Sequence, residues 1–353
     1  MSVTLTELPI VQAPLAGAQD AELAIAVAQA GGLGSLPCAM LSVEQIRAQV
    51  AVFRAALTAP INLNFFAHQS PARDEAAQAR WRASLAPYYA EMGLDPDAPV
   101  NAAMRAPFDE NFCALVEELK PEVVSFHFGL PSEALRARVR AAGAKIWSSA
   151  TTVAEARWLE SHGVDAVIAQ GNEAGGHRGL FLEEDIGGQP GLFALLPQVT
   201  SVVRIPVIAA GGVADGRGIA AAFALGASAV QIGTAYLRSP QSKISTAFRA
   251  ALASARDEDT RLTNLFSGRP ARGILNRLMR ERGPIGEAPA FPGASAALAP
   301  LRAAAEAHGS GDFSPLWSGE AASLAREEDA GEMTRRIWAE AQEVARGMAD
   351  RLG

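Results

Sequence analysis

The clearest unit in the pattern of apolar and polar positions is a helix, a glycine and a short, continuously apolar strand. It recurs at Ala24–Leu36, Leu135–Trp147, Ala154–Ala169 and Gly218–Ile232. Glycine just past a helix end adopts the left-handed conformation without a Cβ clash, so it ends the helix before the strand. Strands that are apolar throughout are covered on both faces, as in parallel sheets. The pattern therefore predicts an α/β fold.

Eight apolar segments are predicted to be strands of this kind, which is the number that a closed (β/α)8 barrel requires. They are Ile10–Ala13, Leu33–Leu36, Ile61–Phe66, Val123–Phe126, Lys145–Ser149, Ala166–Gln170, Val207–Ala210 and Ala229–Ile232. A doubly wound open sheet normally has fewer strands and carries a G-x-G-x-x-G turn after the first one. Here that turn reads Pro14-Leu15-Ala16-Gly17, so we predict a TIM barrel.

Two stretches fall outside the repeat and predict helical additions to the barrel. Residues 68–112 contain helical segments such as Asp74–Leu85, and the tail from about residue 240 onwards shows no convincing strand. The tail instead has amphipathic helical patterns at Ser242–Ala255, Ser295–Ala307 and Glu332–Met348. We assign residues 1–67 and 113–256 to the barrel, and residues 68–112 and 257–353 to a helical lid and a C-terminal helical extension.

Composition narrows the class of protein. The 353 residues carry a formal net charge of −7 without basic clusters, which argues against binding nucleic acid or an anionic membrane surface. No lysine or arginine precedes Arg47 and no apolar run is long enough to span a bilayer, so we expect a cytoplasmic protein. The two cysteines, Cys38 and Cys113, have no metal-ligand or disulfide spacing, and we expect both to be buried.

Glycines and polar residues collect just past the predicted strands, where barrel enzymes place their active sites. Gly211-Gly212 follows the seventh strand and Gly233-Thr234 the eighth. Bare backbone N–H groups there, with a helix N-terminus behind them, suit a phosphate, and Asp215 is a plausible N-cap of that helix. Such glycines also form plain tight turns, but two sites on adjacent strands favour phosphate.

Carboxamides and histidines supply the remaining candidate chemistry. Asn64 and Gln170 end strands and suit the pyrimidine edge of a flavin, although each is equally compatible with a satisfied core amide. His177 lies in a glycine-rich loop, where an imidazole with a near-neutral pKa is a natural base toward a carbon acid. His127 is a second candidate and His68 a weaker one. No G-x-S-x-G, H-E-x-x-H or P-loop pattern occurs, so we expect no metal site.

Motifs in order along residues 9–280 resemble those of the nitronate monooxygenases, formerly called 2-nitropropane dioxygenases. The similar segments are Gln12–Gly17, Ala30–Gly34, Ser125–Gly129, Gln170–Gly179, Ala209–Gly218, Val230–Thr234 and Ser267–Gly273. The resemblance implies an FMN-bound TIM barrel that oxidises alkyl nitronates, such as propionate-3-nitronate, with O2 to a carbonyl compound and nitrite. It also implies that His177 is the active-site base and the electrostatic partner of the nitronate, with His127 beside it.

The predicted site follows from these motifs. We expect His177 and His127 to be catalytic and FMN to be bound by Ala13, Pro14, Leu15, Gly17, Asn64, Gln170, Gly175, Gly176, Gly211, Gly212, Gln231, Ile232, Gly233 and Thr234. The expected partners are a small nitronate and O2, in a monomer or homodimer. Two alternatives stay open: an FMN-dependent enoyl or NAD(P)H:quinone reductase on the same barrel, and a flavin-binding barrel without turnover.

Overall fold

The computed structural model describes residues 3–72, 74–96, 98 and 105–352. Within the predicted lid stretch, residues 73, 97 and 99–104 lie outside the described residues, as do residues 1, 2 and 353. The strands are β1 Ile10–Gln12, β2 Gly34–Pro37, β3 Ile61–Phe66, β4 Val123–His127, β5 Lys145–Ala150, β6 Ala166–Gln170, β7 Gly176–His177, β8 Val207–Ala210, β9 Ala229–Ile232, β10 Thr260–Thr263 and β11 Ala271–Ile274. Helices connect these strands and surround the barrel.

The α-helices are α1 Ala21–Gln29, α2 Val43–Ala56, α3 Glu75–Glu91, α4 Glu110–Leu119, α5 Glu133–Ala141, α6 Val153–Ser161, α7 Leu192–Thr200, α8 Gly216–Ala224, α9 Thr246–Ser254, α10 Arg277–Arg282, α11 Ser295–Ala307 and α12 Ala330–Leu352. Two 3-10 helices span Thr234–Arg238 and Ala322–Leu324. Most begin at a side-chain cap, such as Ser42 before α2, where a full capping box satisfies the free backbone N–H groups.

Eight parallel strands form the barrel in the order β1-β9-β8-β6-β5-β4-β3-β2. A parallel bridge between Val11 and Leu33 joins the two ends of this sheet, and the Leu33 N–H donates to Ile10 O at 2.8 Å. The predicted (β/α)8 barrel is therefore confirmed. All eight predicted barrel strands are present, with ends shifted by at most one residue.

Apolar residues fill the barrel on both sides of its strands. Val11, Trp147, Ile168 and Ile208 belong to a fully or almost fully buried cluster drawn from strands around the whole ring. A larger cluster lies between the strands and the surrounding helices, and α12 contributes to it through residues such as Met333. Continuous burial on two faces explains why the barrel strands show apolar runs rather than alternation.

The expectation of a tail without strands is wrong. Strands β10 and β11 pair antiparallel, and β11 also pairs with β7 through Ala271–His177 and Arg272–Gly176. The segments TRLT and ARGI contain no apolar run, and Arg272 is buried in this small sheet. Strand β10 pairs with the nearby β11, but the third strand, β7, lies about 95 residues earlier in the chain, so that pairing left no local signal.

A second apolar cluster joins the two predicted helical additions. Trp81 and Tyr89 of α3 pack with residues of the C-terminal part, including Leu298 and Leu301 of α11. The Trp81 indole N–H donates to Ala294 O at 3.0 Å, and the Tyr89 hydroxyl donates to Ala297 O at 2.7 Å. The proposed boundaries between barrel and additions stay a prediction. None of the helices in the described part of the chain is long and apolar enough to cross a membrane.

Candidate active site

A cavity opens at the C-terminal ends of the barrel strands and brings nearly all predicted site residues together. Its lining includes Ala13, Pro14, Leu15, Gly17, Asn64, His127, Gln170, Gly175, Gly176, His177, Gly211, Gly212, Gln231, Gly233 and Thr234. Ile232 is different, because its side chain is fully buried in the core and does not line the cavity. Parallel strands that end at one rim account for the convergence.

Several lining residues were not predicted as site residues. They are Arg105, Ser149, Glu173, Trp317 and Gly319, among others. Ser149 ends a strand, so the rule that located Asn64 also applies to it. Trp317 and Gly319 belong to the tail, where no strand-end pattern in the sequence places them above the barrel.

The predicted phosphate site is a turn of left-handed glycines. Gly211 and Gly212 have φ values of +112° and +69°, which side-chain-bearing residues rarely adopt. Among the described residues, the hydrogen bonds include none from the backbone N–H of Gly212 or Gly233. Free N–H groups of two adjacent strand ends therefore face one cavity, which suits an anion.

The N-terminus of α8, the helix behind this turn, does not contribute to the anion site, contrary to the expectation from the sequence. Asp215 is the N-cap of α8, as predicted, and its carboxylate accepts from the backbone N–H of Arg217 and Gly218. The Glu340 carboxylate accepts from the Gly216 N–H at 3.3 Å. Carboxylates thus occupy the positive end of the helix, which leaves the glycine N–H groups as the donors available to an anion.

A loop of the C-terminal part closes over the same turn. The Gly319 N–H donates to Thr234 Oγ1 at 2.9 Å, and the Glu320 N–H donates to Glu173 O at 3.0 Å. A Cβ on Gly175 would come within 2.5 Å of the Gly319 nitrogen. Only glycine permits this close approach. The tail is therefore part of the cavity wall.

Gln170 serves the histidine loop. Its Nε2 donates to His177 O at 3.0 Å, and its Oε1 accepts from the Gly179 N–H at 2.8 Å. Asn64 Nδ2 donates to Ser125 Oγ at 2.9 Å, so its Oδ1 is the atom left to accept from a ligand. Both amides line the cavity, but Gln170 is committed to holding the loop in place.

His127 has both ring nitrogens engaged. Nε2 lies 3.1 Å from His177 O, which only accepts, so Nε2 carries the proton and donates. Nδ1 then accepts from the Ser149 hydroxyl at 3.0 Å. Neither nitrogen is free for a substrate proton. In this arrangement His127 fixes the backbone of His177.

His177 lies half-buried in the cavity wall within a group of aromatic rings. Its Nε2 is 2.8 Å from Ser267 Oγ, and its Nδ1 has no hydrogen-bond partner among the described residues. The ring centroids of Trp317, Phe291, Phe128 and Phe66 lie 5.4, 5.5, 5.9 and 6.3 Å away. These rings surround the imidazole with apolar surface.

These surroundings keep the histidines neutral. Burial, followed by the positive charge of Arg105, holds the pKa of His177 well below 6.5. Burial also lowers the pKa of His127 to about 4, against the hydrogen bond to His177 O. The expected near-neutral pKa of His177 is therefore wrong, because desolvation disfavours the charged form. A neutral His177 offers a lone pair or an N–H, and no positive charge.

A buried polar chain anchors the loop that carries His177. Arg178 donates to Gly171 O at 2.6 Å, to Gln170 O at 2.9 Å and, through Nε, to Gln189 Oε1 at 2.7 Å. Gln189 Nε2 donates to Thr151 Oγ1 at 2.7 Å, and that hydroxyl donates to Glu155 Oε2 at 2.7 Å. Arg178, Gln189, Thr151 and Glu155 are all buried. The neutral side chains of Gln189 and Thr151 therefore connect the charges of Arg178 and Glu155 away from water.

Comparison with known proteins decides the family. The model of the nitronate monooxygenase family matches residues 1–340. The chain belongs to the nitronate monooxygenase family. A nitronate monooxygenase from Pseudomonas aeruginosa is 40% identical over 332 residues, which cover 93% of this chain and 95% of that protein. One from Paraburkholderia phytofirmans is 40% identical over 334 residues, which cover 93% and 91%.

Solved structures agree with this family and with the barrel. A nitroalkane oxidase from Streptomyces ansochromogenes superposes with a TM-score of 0.89 at 39% identity, covering 98% of each chain. FabK from Thermotoga maritima gives a TM-score of 0.75 at 28% identity, covering 99% of this chain and 97% of that one. Nitronate monooxygenases are flavin-dependent oxidoreductases that act on small molecules.

The cavity of this nitronate monooxygenase family member fits a phosphorylated flavin. Gly212 and Gly233 present N–H groups to a phosphate without side chains in the way. Gln231 Oε1 is buried without a hydrogen-bond partner among the described residues, although Gln231 lines the cavity. A buried acceptor of this kind needs a hydrogen-bond donor, and the N3–H group of a flavin ring is such a donor.

Proposed function

We propose that the chain binds FMN in this cavity and oxidises alkyl nitronates, such as propionate-3-nitronate, with O2 to a carbonyl compound and nitrite. The observation that supports this best is a single cavity that contains His177, surrounded by aromatic rings, and the glycine turns after two adjacent barrel strands. Bound FMN supplies the redox chemistry, and the protein positions the reactants and excludes water.

In this proposal the backbone N–H groups of Gly212 and Gly233 hold the phosphate, together with the hydroxyl of Thr234. Asn64 and Gln231 offer acceptors to the ring, while Pro14 and Leu15 provide apolar surface. The remaining predicted contacts come from Ala13, Gly17, Gln170, Gly175, Gly176 and Gly211, which line the same cavity. His127 acts on the reaction through the backbone of His177.

His177 takes the proton when the substrate arrives as a neutral nitroalkane. Ser267 Oγ donates to Arg269 O at 3.2 Å, so it can accept the proton of His177 Nε2. This tautomer leaves the lone pair on Nδ1, which faces no other partner in the described structure. At neutral pH the imidazole is unprotonated, so its Nδ1 lone pair is available to take a proton from carbon.

Oxygen uptake tests the proposal. Protein reconstituted with FMN should consume O2 with propionate-3-nitronate and with propyl-1-nitronate, and it should release nitrite. Yellow protein that consumes no O2 with either nitronate would contradict oxidation and favour a binding role. Colourless protein after reconstitution would contradict the cofactor assignment.

The FabK likeness favours one alternative, an FMN-dependent enoyl reductase. Anaerobic mixing with NADPH separates the two. We expect slow or no bleaching of the flavin, whereas rapid bleaching followed by reduction of an enoyl thioester would favour the reductase. We retain a cytoplasmic location and a monomer or homodimer as predictions, which fractionation and light scattering would test.

A further inference from the structure

Arg105 is a cavity residue that the proposed chemistry has not used. It lines the cavity together with His177, and its Nη1 donates to Ser295 Oγ at 2.7 Å. Ser295 in turn donates to Pro292 O at 3.0 Å, so the hydroxyl is oriented to receive the guanidinium. No carboxylate of the described residues pairs with Arg105.

The other cations that line the cavity differ from Arg105 in this respect. Lys243 pairs with Glu22, and Arg302 lies 2.9 Å from Glu306 Oε1. Arg105 instead feels the positive charge of Arg302, which, after burial, lowers its pKa. A half-buried guanidinium beside another cation is unfavourable until an anion joins it.

Arg105 and His177 line the same cavity. After burial, the charge of Arg105 is the largest cause of the low pKa of His177. Since His177 is neutral, it cannot supply the positive charge that an anionic substrate needs. The family resemblance assigns the electrostatic role toward the nitronate to His177, whereas Arg105 is the cation of this cavity that pairs with no carboxylate of the described residues.

We propose that Arg105 binds the anionic group of the substrate, a planar pair of oxygens on either a nitronate or a carboxylate. The inference rests on the proposed function and assigns a binding residue to it. A guanidinium presents parallel N–H groups that match two oxygens of one planar group. Ser295 holds one side of the guanidinium, and the remaining donors are available for the ligand.

Two substrates of similar length distinguish whether Arg105 binds the nitronate or the carboxylate. Propionate-3-nitronate carries a carboxylate as well as the nitronate, and propyl-1-nitronate carries the nitronate alone. We expect Arg105→Gln in the FMN-loaded protein to lower kcat/KM roughly 10- to 100-fold, mainly through KM. Loss with both substrates would place Arg105 at the nitronate. Loss with propionate-3-nitronate alone would place it at the carboxylate.

Three further variants keep the test decisive. Arg105→Lys retains the charge and should recover part of the lost kcat/KM, whereas Ser295→Ala frees the guanidinium and should cost less than Arg105→Gln. Arg280→Gln removes an exposed arginine that donates to Leu275 O and should leave both substrates unaffected. If Arg105→Gln does not fold, Arg105→Lys and Ser295→Ala still test the inference.

Two results would overturn the inference. One is a change of less than about twofold with both nitronates in Arg105→Gln. The other is an equal loss in Arg302→Gln, which would indicate a diffuse effect of cavity charge and no direct contact. Failure of the unmodified protein to oxidise either nitronate would be a separate outcome that refutes the proposed function itself.

Discussion

Ser267 Oγ lies 2.8 Å from Nε2 of His177, although the two residues are 90 positions apart in the chain. The same hydroxyl accepts from the Arg269 N–H at 3.3 Å, so the turn that follows β10 holds it in place. The pairing orients the imidazole and leaves Nδ1 without a hydrogen-bond partner among the described residues. The pairing of β11 with β7 brings the two segments together.

Substitution Ser267→Ala should lower kcat with neutral nitroalkanes roughly 2- to 10-fold, because one hydrogen bond that orients His177 is lost. FMN content should not change, since Ser267 does not line the cavity. Steady-state oxygen uptake and the visible absorbance of the flavin measure the two quantities. Ser161→Ala, which removes an exposed hydroxyl bonded to Trp158 O, is the matched control. Equal rates in both variants would argue against an orienting role.

Substitution His177→Asn should keep FMN bound and lower turnover of neutral nitroalkanes by about 10²- to 10⁴-fold, the usual contribution of a general base. Preformed nitronates need no proton removal and should lose less. In the unmodified protein, the base form of His177 prevails at neutral pH because its pKa is well below 6.5. The rate with neutral nitroalkanes should therefore fall only on the acid side. Unchanged turnover in the variant would remove the role assigned to His177.

Substitution Gly212→Ala should weaken FMN binding by about tenfold or more, because a Cβ at φ +69° strains the turn and crowds the anion. Equilibrium dialysis or flavin fluorescence quenching gives the dissociation constant. Gly309→Ala is a matched control, since Gly309 has φ +74° with nothing within 4 Å of the added Cβ. It should cost similar stability and leave FMN binding intact. Similar FMN affinities in the two variants would speak against a phosphate at Gly212.

Substitution Glu155→Gln should lower the free energy of unfolding by about 2 kcal/mol or more and loosen the loop that carries His177. Glu155 is buried and accepts from Thr151 N, Thr151 Oγ1 and Phe181 N at 2.6–2.7 Å. An amide N–H in place of one oxygen would face a donor. Urea unfolding measures the loss.

A matched control for Glu155 is Glu160→Gln. Glu160 Oε1 also accepts from a backbone N–H, that of Arg204 at 2.6 Å, but Glu160 is more exposed. Its substitution should cost less than about 1 kcal/mol because water replaces the lost bond. If both substitutions cost the same, the buried chain to Arg178 has no special importance for stability.

Substitution His68→Leu should reduce the acid sensitivity of the fold. Both ring nitrogens of His68 are buried without a partner among the described residues, and burial lowers its pKa to about 4. The unfolded chain takes up the proton near pH 6.5, so His68 stabilises the fold above that pH and the contribution is lost toward pH 4. Urea unfolding at pH 7 and pH 5 should show a difference smaller by roughly 1–2 kcal/mol in the variant. An unchanged difference would show that His68 does not titrate in this range.

Local patterns in the sequence were enough to predict the barrel and the residues at the rim of the cavity. A strand buried on both faces must be apolar throughout, and a helix-ending glycine precedes four of the eight strands, so the strands could be predicted from near neighbours in the chain. The residues at or just past the ends of those strands, such as Gln170, Gly212 and Thr234, then had to share one rim because parallel strands end on the same side.

Contacts between distant segments decided the rest. The small sheet of β7, β10 and β11 places Ser267 against His177, and a tail loop places Gly319 against Thr234. The protonation state of His177 depends on rings and charges that gather only in the folded chain, including Phe291 and Arg105. The spacing of apolar residues along a strand or helix indicates which of its faces are buried. The pKa of a side chain depends instead on burial and on charges that are near it in space, and these neighbours cannot be identified from their order in the chain.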